Sequence, residues 1–313
     1  MIPALVLTAG LATRLYPLSL VRAKAALPVA GEPLIRHILR WLAKGGITDA
    51  VLNLHHLPHT ITGIVGGGME GVRVRYSWEV PLLGSAGGPR RALPLLDSPT
   101  FLIVNGDTLT DVDLGALLAA HRHTDALVTM AVVPNVESAK YSGLAVDDDG
   151  AVIGVVARGS AQPSAHFVGV QVAETGAFES LVDNVPFESV SGLYPSLIAA
   201  RPGSVRAAGI TGTFADIGSP RDYLATSLAI ARGDSRRLCS GVDTRIDPSA
   251  TLDETIVWDD VEIGAGARLR RCVVTDGVRI PDGTCWEDST IRVAPDTLST
   301  GERRIGDLAV GSL

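Results

Sequence analysis

The stretch LTAGLATRLYPLSLVRAKAALPVAG, Leu7 to Gly31, sets three cations, Arg14, Arg22 and Lys24, behind a turn of small residues. Cations beside such a turn point to an anion, and phosphate is the usual one. The backbone N–H groups of Ala9, Gly10, Leu11, Ala12 and Thr13 can cradle a triphosphate. Arg14 can clamp phosphate oxygens in bidentate fashion, and Lys24 can act as a point charge on a reacting phosphoryl group. Arg22 is expected only as a surface charge. The two familiar phosphate loops do not fit. No GKS or GKT occurs in the chain, and only Gly10 stands near the turn, so G-x-G-x-x-G fails as well.

A loop of this kind needs a frame. ALVLTAG, Ala4 to Gly10, reads as a buried strand and its turn. EPLIRHILRWLAKGG puts Leu34, Ile35, Ile38, Leu39 and Leu42 on one helical face and stops at Gly45 and Gly46. DAVLNL (Asp49 to Leu54), VRVRYSW (Val72 to Trp78), TFLIVNGD (Thr100 to Asp107) and DALVTMAVV read as strands, with LGALLAAHRH as a helix before the last. LAVDDDGAVIGVV, Leu144 to Val156, reads as a hairpin around Asp149-Gly150. In GTFADIGSPRDYLATSLAIARG, Ser219 and Pro220 are the expected N-cap and first residue of a helix. The alternation predicts an α/β fold: a Rossmann-like mixed, mostly parallel sheet with helices on both faces. Ligands in such sheets bind beyond the carboxyl ends of strands, where both LTAG and VNGD fall.

The end of the chain changes style. Three segments beginning at Ile246, Ile263 and Ile280 repeat every 17 residues. Leu252, Leu269 and Trp286 align, as do Val257, Val274 and Ile291. One inward apolar residue per side of a triangular coil predicts a short parallel β-helix of the left-handed hexapeptide type. The expected domains are 1–233 as the α/β domain, 234–245 as a linker, 246–294 as about three turns of β-helix, and 295–313 as a tail. Cys272 and Cys285 are expected as packing residues. The β-helix is expected to pack on the first domain or to form a homo-oligomer interface.

Composition narrows the function. Of 313 residues, 46% are apolar and 19% charged, which fits a packed globular protein. Thirty-four acidic against 27 basic residues give a net charge of −7, which argues against nucleic acid as a partner but permits a small anionic ligand. No apolar run is long enough for a bilayer, no basic leader opens the sequence, and the three cysteines lack CxxC spacing. A cytoplasmic setting without membrane attachment is expected. His55, His56 and His59 are read as structural residues, not as a zinc site.

LTAGLATRLYPLS…AKAALPVAGEPLI resembles the opening signature of the sugar-1-phosphate nucleotidylyltransferases, L-x-A-G-x-G-T-R-L-x-P-L-T followed by P-K-P-L-L-P-V. Further segments resemble the family in order: VLNLHHL, EVPLLGSAGGPRRAL, VNGDTLTDVDL, YSGLAVDDDG, FVGVQV and FADIGSPRDYL. A β-helix after the catalytic domain is a familiar arrangement there, notably in mannose-1-phosphate guanylyltransferases. Three departures stand out. Ala12 replaces the second glycine of the loop, and its methyl would hinder a positive φ or a close phosphate approach. Ala23 and Ala25 replace the prolines around the lysine. An E-K-P segment before the sugar strands is missing, which leaves Arg158 as a weak candidate for the sugar phosphate.

The resemblance implies that a sugar 1-phosphate oxygen attacks the α-phosphorus of a nucleoside triphosphate, giving NDP-sugar and pyrophosphate without a protein nucleophile. Arg14, Lys24 and Asp107 would carry the catalysis, and Asp107 and Asp216 would hold Mg²⁺. Taken singly, Asp107 also reads as a strand-end turn residue and Asp216 as a helix N-terminal charge. Glu79, Gly84, Ala86 and Gly87 would lie at the base and ribose, and Tyr141, Gly143, Arg158, Gly169 and Glu174 at the sugar. A Glu79 carboxylate suits the adjacent N–H groups of guanine better than uracil, so GTP is expected, and the resemblance implies mannose 1-phosphate as its partner. Alternatively Glu79 faces solvent, and the base is read by backbone at Ala9 and Gly84. UTP or dTTP with glucose or an amino sugar is the alternative chemistry. A catalytically weak regulatory homologue is the alternative role.

Overall fold

The computed structural model describes residues 2–239 and 241–313; Met1 and Ser240, the latter in the expected linker, lie outside the described residues. The chain divides into two compact units. One holds the residues up to Gly10 with Ile35–Ala215, the other Leu11–Leu34 with Asp216–Leu313.

The first unit is built on a ten-stranded sheet. Its strands are β1 (Ala4–Leu7), β2 (Asp49–Leu54), β3 (Val72–Trp78), β4 (Thr100–Asn105), β5 (Val128–Pro134), β6 (Gly143–Val146), β7 (Val152–Val156), β8 (Ala165–Glu174) and β9 (Val205–Gly209), with the two-residue Gly68–Met69 at one edge. The order is β7-β6-β8-β4-β1-β2-β3, and β5 pairs with β8 and β9. The centre, β4, β1, β2 and β3, is parallel. β8 runs antiparallel to β4 and β5, and β6 and β7 form the expected hairpin. Ala4, Leu5 and Val6 are all fully buried, as are Leu102, Ile103 and Val104. Successive strand residues point to opposite faces, so both faces of the centre are covered, and these strands read as continuous apolar runs. Helices α1 (Leu34–Lys44), α2 (Gly84–Leu96) and α3 (Leu114–Arg122) follow strands of the parallel part. Ala86, Ala92 and Leu96 of α2 share a core with Leu5, Val51, Phe101 and Ile103. Asp113 caps α3 by accepting the Ala116 N–H.

The second unit combines the segment after the first turn with the end of the chain. Residues 11–34 form three short turns, at Thr13–Leu15, Leu18–Leu20 and Lys24–Ala26, anchored by buried Leu15, Leu18 and Leu27. Helix α4 (Pro220–Ala231) starts as expected, with Ser219 Oγ accepting the Asp222 N–H at 3.2 Å and proline in the first turn. The coil follows the 17-residue register. Ile246 pairs with Ile263 and Ile263 with Ile280; Leu252, Leu269 and Trp286 stack likewise, as do Val257, Val274 and Ile291. These positions close a core with Val261, Ala267, Cys272 and Val278. Ile246, on the first coil, has a neighbour on one side only and stays exposed. Cys272 is a packing residue, but Cys285 is exposed: it lies on a strand whose neighbour Trp286 takes the inward place. Within the expected tail, Arg303–Ile305 and Leu308–Ser312 are strands, the latter antiparallel to Ser289–Val293. Leu308 and Val310 complete the coil's core.

Candidate functional site

In the second unit, residues far apart in sequence meet at the start of α4. Lys24 Nζ lies 3.9 Å from Asp216 Oδ1, both side chains largely shielded. Gly218 leaves the space between the acid and the first arginine open. A Cβ there would stand 3.3 Å from Asp216 Oδ2, 3.5 Å from Arg14 Nη1 and 3.1 Å from Asp222 Oδ2. Arg14 itself is exposed, as are Leu11 and Thr13. Ala12 adopts the left-handed region, φ 49° and ψ 47°. Its carbonyl is fixed twice, by the Leu15 N–H at 2.9 Å and Ser19 Oγ at 2.8 Å. The turn therefore keeps the conformation a glycine would take most readily, and alanine bears the strain.

Arg22 is not the surface charge expected. Its side chain is 13% exposed and ion-paired to Asp259 and Asp276. Those partners lie more than 200 residues along the chain, so its neighbours in sequence carry no sign of them.

In the first unit, the loops after β1, β3 and β4 are tied together. The N–H of Gly106 donates to Leu7 O at 3.0 Å, and a Cβ on Gly106 would stand 2.5 Å from that oxygen. The turn after β4 thus crosses the end of β1, and Asp107 in it is half-buried. Thr108 Oγ1 donates to Asp107 Oδ1 at 3.3 Å. Gly169, φ +82°, lets β8 approach this turn; a Cβ would meet Thr108 Oγ1 at 2.8 Å and Asn105 Nδ2 at 3.0 Å.

Asn53, at the end of β2, ties two loops together and was not singled out from the sequence. Its Oδ1 accepts the N–H of Thr8 at 2.6 Å and of Ala9 at 3.3 Å, and its Nδ2 donates to Glu79 Oε1 at 2.7 Å. Glu79 Oε2 accepts the Leu83 N–H at 2.8 Å. These contacts correct two expectations. Ala9 is buried and its N–H is engaged by Asn53; Gly10 is the exposed residue. Glu79 is 1% exposed, with both oxygens engaged, so it is neither a free base-reading carboxylate nor a solvent-facing one. A buried carboxylate requires such donors. The signal for Asn53 was a polar residue between Leu52 and Leu54 in the otherwise apolar run AVLNL.

The small residues Gly84, Ala86 and Gly87 also make close contacts within the chain. The Ala86 and Gly87 N–H groups donate to Phe187 O at 2.9 and 3.2 Å. A Cβ on Gly84, φ +74°, would stand 2.8 Å from Phe187 O, and one on Gly87 2.6 Å from Val185 O. Ser85 Oγ donates to Glu188 at 2.5 Å. The N-terminus of α2 is thus fitted to the chain's own segment 185–188, and its donors there are taken.

The sugar candidates divide. Tyr141 stacks on His166 with ring centroids 4.2 Å apart, and His166 on Phe214 at 5.0 Å. Burial holds the His166 imidazole below its usual pKa, which favours its neutral form in the stack. Gly143 leaves no room for a Cβ beside Ser164. Arg158 is exposed in the turn after β7, three strands from β4 in the sheet. Glu174 is a correction. It pairs opposite Thr100 at the start of β4, whereas Val170 pairs with Val104 near its end. Its carboxylate accepts from Thr100 Oγ1 at 2.7 Å and lies 3.0 Å from His121 Nε2. Five residues of strand separate it from Gly169, roughly 16 Å, which removes it from the group around Asp107.

Comparison with known proteins now adds to this geometry. Residues 3–232 match the family described as Nucleotidyl transferase, and residues 224–286 match a GlmU-like C-terminal hexapeptide family. A mannose-1-phosphate guanylyltransferase of Mycobacterium tuberculosis is 28% identical over 298 residues, covering 91% of this chain and 83% of that protein. A UTP–glucose-1-phosphate uridylyltransferase of Synechocystis is 24% identical, covering 88% and 76%. The crystal structure of HddC from Yersinia pseudotuberculosis complexed with GMP-PN shares the fold, with a TM-score of 0.63 at 22% identity, over 74% of this chain and 100% of that one. No helix among the described residues is long and apolar enough to cross a membrane. With the match running from residue 3 to residue 232, the protein belongs to the nucleotidyl transferase family, as an enzyme of the sugar-1-phosphate nucleotidylyltransferase kind with a hexapeptide β-helix.

Proposed function

We propose that the protein is a mannose-1-phosphate guanylyltransferase, joining GTP and mannose 1-phosphate to give GDP-mannose and pyrophosphate. The observation that carries this reading is the approach of Lys24 Nζ to Asp216 Oδ1, 3.9 Å, with Arg14 Nη1 across the space above Gly218. Two cations and a carboxylate in one small volume suit a metal-bound polyphosphate. The name of the Mycobacterium tuberculosis relative and the GMP-PN bound to HddC support guanine over other bases.

A phosphate oxygen of the sugar substrate attacks the α-phosphorus in line, and pyrophosphate leaves opposite. No protein nucleophile takes part. Arg14 and Lys24 hold and neutralise the triphosphate, so the chain contributes position and charge. Among the described residues no cluster of three or more His, Cys, Asp or Glu gathers as a ready-made cation cage. The single Asp216 carboxylate beside Arg14 and Lys24 fits Mg²⁺, which binds through one or two carboxylates with substrate phosphates and water. Asp107 and Asp216 are the carboxylates we assign to it, and the chemistry it supplies when bound is neutralisation of phosphate charge. Tyr141, Gly143, Arg158 and Gly169 remain the residues assigned to the sugar. The reading takes 1–233 as the catalytic domain, 234–245 as linker and 246–294 as β-helix, in a cytoplasmic enzyme.

A second reading, a UTP- or dTTP-dependent enzyme, draws on the Synechocystis uridylyltransferase and on the engagement of Glu79 by Asn53 and Leu83. Pyrophosphate release measured for four NTPs against several sugar 1-phosphates with Mg²⁺ decides between them. Preference for GTP with mannose 1-phosphate is expected; preference for a pyrimidine nucleotide overturns the first reading.

A further inference from the structure

We propose that Arg22 is a positioning residue that clamps the Lys24 segment to the β-helix, so that two acids of the coil hold Lys24 in place for the triphosphate. This rests on the function proposed above. The guanidinium reaches Asp276 twice, Nε to Oδ2 at 2.7 Å and Nη2 to Oδ1 at 2.6 Å, and reaches Asp259 Oδ2 through Nη2 at 2.5 Å. Its carbon lies 5.3 Å from the ring centroid of Trp258, which is fully buried.

The acids are themselves held. Asp259 and Asp276 sit one coil period apart, and Asp276 Oδ1 accepts the Asp259 N–H at 3.1 Å. Asp259 Oδ1 accepts the Val242 N–H at 2.7 Å. A planar fork between two fixed carboxylates on a buried ring has little freedom.

A second tie lies on the other side of Lys24. Tyr223 of α4, fully buried, donates through its hydroxyl to Pro28 O at 2.5 Å and accepts the Trp258 Nε1–H at 3.0 Å. Trp258 thus supports both ties, and Lys24 sits between them. Alanines at 23 and 25 give the backbone less stiffness of its own than prolines would. The clamp supplies that restraint from outside the loop. A cation ordered by the fold before substrate arrives spares the ordering cost at binding and stands in position for the transition state. The coil then serves the chemistry through Trp258, Asp259 and Asp276, although it contributes no group to the substrate.

Steady-state pyrophosphate release by the full chain tests this, with Arg22→Met, Arg22→Lys, Asp276→Asn and the Arg22→Met/Asp276→Asn pair. Arg22→Met is expected to raise the KM for the nucleotide or lower kcat by about 10-fold or more, leaving the KM for the sugar phosphate within about twofold. Arg22→Lys, which keeps the charge and loses the fork, should recover part of the loss. The double variant should be little worse than Arg22→Met alone, because both remove one interaction. Kinetics of Arg22→Met equal to wild type, or equal rises in both KM values, would overturn the clamp. Hydrogen exchange of residues 22–28 gives a readout that needs no turnover: faster exchange there in Arg22→Met or Arg22→Lys supports the clamp, and unchanged exchange overturns it. A wild-type chain that releases no pyrophosphate with any substrate pair defeats the proposed function alone, and the exchange measurement still judges the clamp.

Discussion

Asn53 and Glu79 share a hydrogen bond of 2.7 Å at the ends of adjacent parallel strands, and through it two loops of the first unit are set. Asn53 reaches on to the N–H groups of Thr8 and Ala9, and Glu79 to that of Leu83. The pair is an internal brace, and the brace has consequences that differ from those of a base-reading carboxylate.

Removing the brace is expected to act on all nucleotides alike. Asn53→Ala leaves the Thr8 N–H and the Glu79 carboxylate buried without their partner, a loss of about 2–3 kcal/mol in denaturant unfolding. Glu79→Gln should change kcat/KM for GTP, UTP, dTTP and ATP by similar factors. A selective change for one base would return Glu79 to the role of reader.

Ala12 carries strain that a glycine would relieve. An alanine in the left-handed region costs about 1–2 kcal/mol, and the added freedom of glycine in the unfolded chain takes back about 0.5–1 kcal/mol. Ala12→Gly is therefore expected to leave the melting temperature unchanged or slightly higher and to lower the nucleotide KM. A lower melting temperature with weaker nucleotide binding would show that the methyl makes a needed contact.

Glu174 is expected to matter for stability and not for the sugar. Glu174→Ala removes the acceptor of Thr100 and the neighbour of His121, at about 1–3 kcal/mol. Titration of the sugar 1-phosphate should give a KM within about twofold of wild type. A large rise in that KM alone would restore Glu174 to the sugar site.

The pair Arg292–Glu302 locks the strands at the end of the chain to the coil. Glu302 is 2% exposed and meets Arg292 through two bonds, 2.7 and 2.6 Å. Burial alone would raise its pKa, but Arg292 and the Ser299 N–H more than offset this, and the carboxyl sits below its usual range. A depressed folded-state pKa means that the pair's stabilisation is present above the unfolded pKa, about 4.3. It is lost as pH falls through the lower folded value. Glu302→Gln should cost about 3 kcal/mol at neutral pH, followed by tryptophan fluorescence in denaturant, and the gap to wild type should shrink below about pH 4. A gap independent of pH would show that the ion pair contributes nothing.

What could be read from the sequence followed from periodicity. Runs such as FLIV and ALVL mark strands covered on both faces, and the 17-residue spacing from Ile246 to Ile280 sets the coil's register because each coil must stack on the last. Where a motif also fixed the strand end, placement was legible: Asp107 lies just beyond β4, as VNGD indicates. Placement was misread where the strand end was the open question: Glu174 lies on the right strand at the wrong end. Gly84 and Gly87 signalled a close approach, but not that the chain's own Phe187 makes it. Arg22 and Asn53 were hidden because their partners are remote in sequence, and a side chain's spacing carries no information about a contact made 254 residues away.

The proposed function has Arg14, Lys24 and Asp216 serve nucleotidyl transfer from GTP to mannose 1-phosphate. Its most direct test is GDP-mannose and pyrophosphate formation with Mg²⁺ by the wild type, Lys24→Met and Asp216→Asn, each checked for folding by circular dichroism. The account predicts product from the wild type and a kcat lower by about 100-fold or more in each variant. Wild-type rates from both variants, or no product from the wild type with any nucleotide and sugar phosphate, would contradict it.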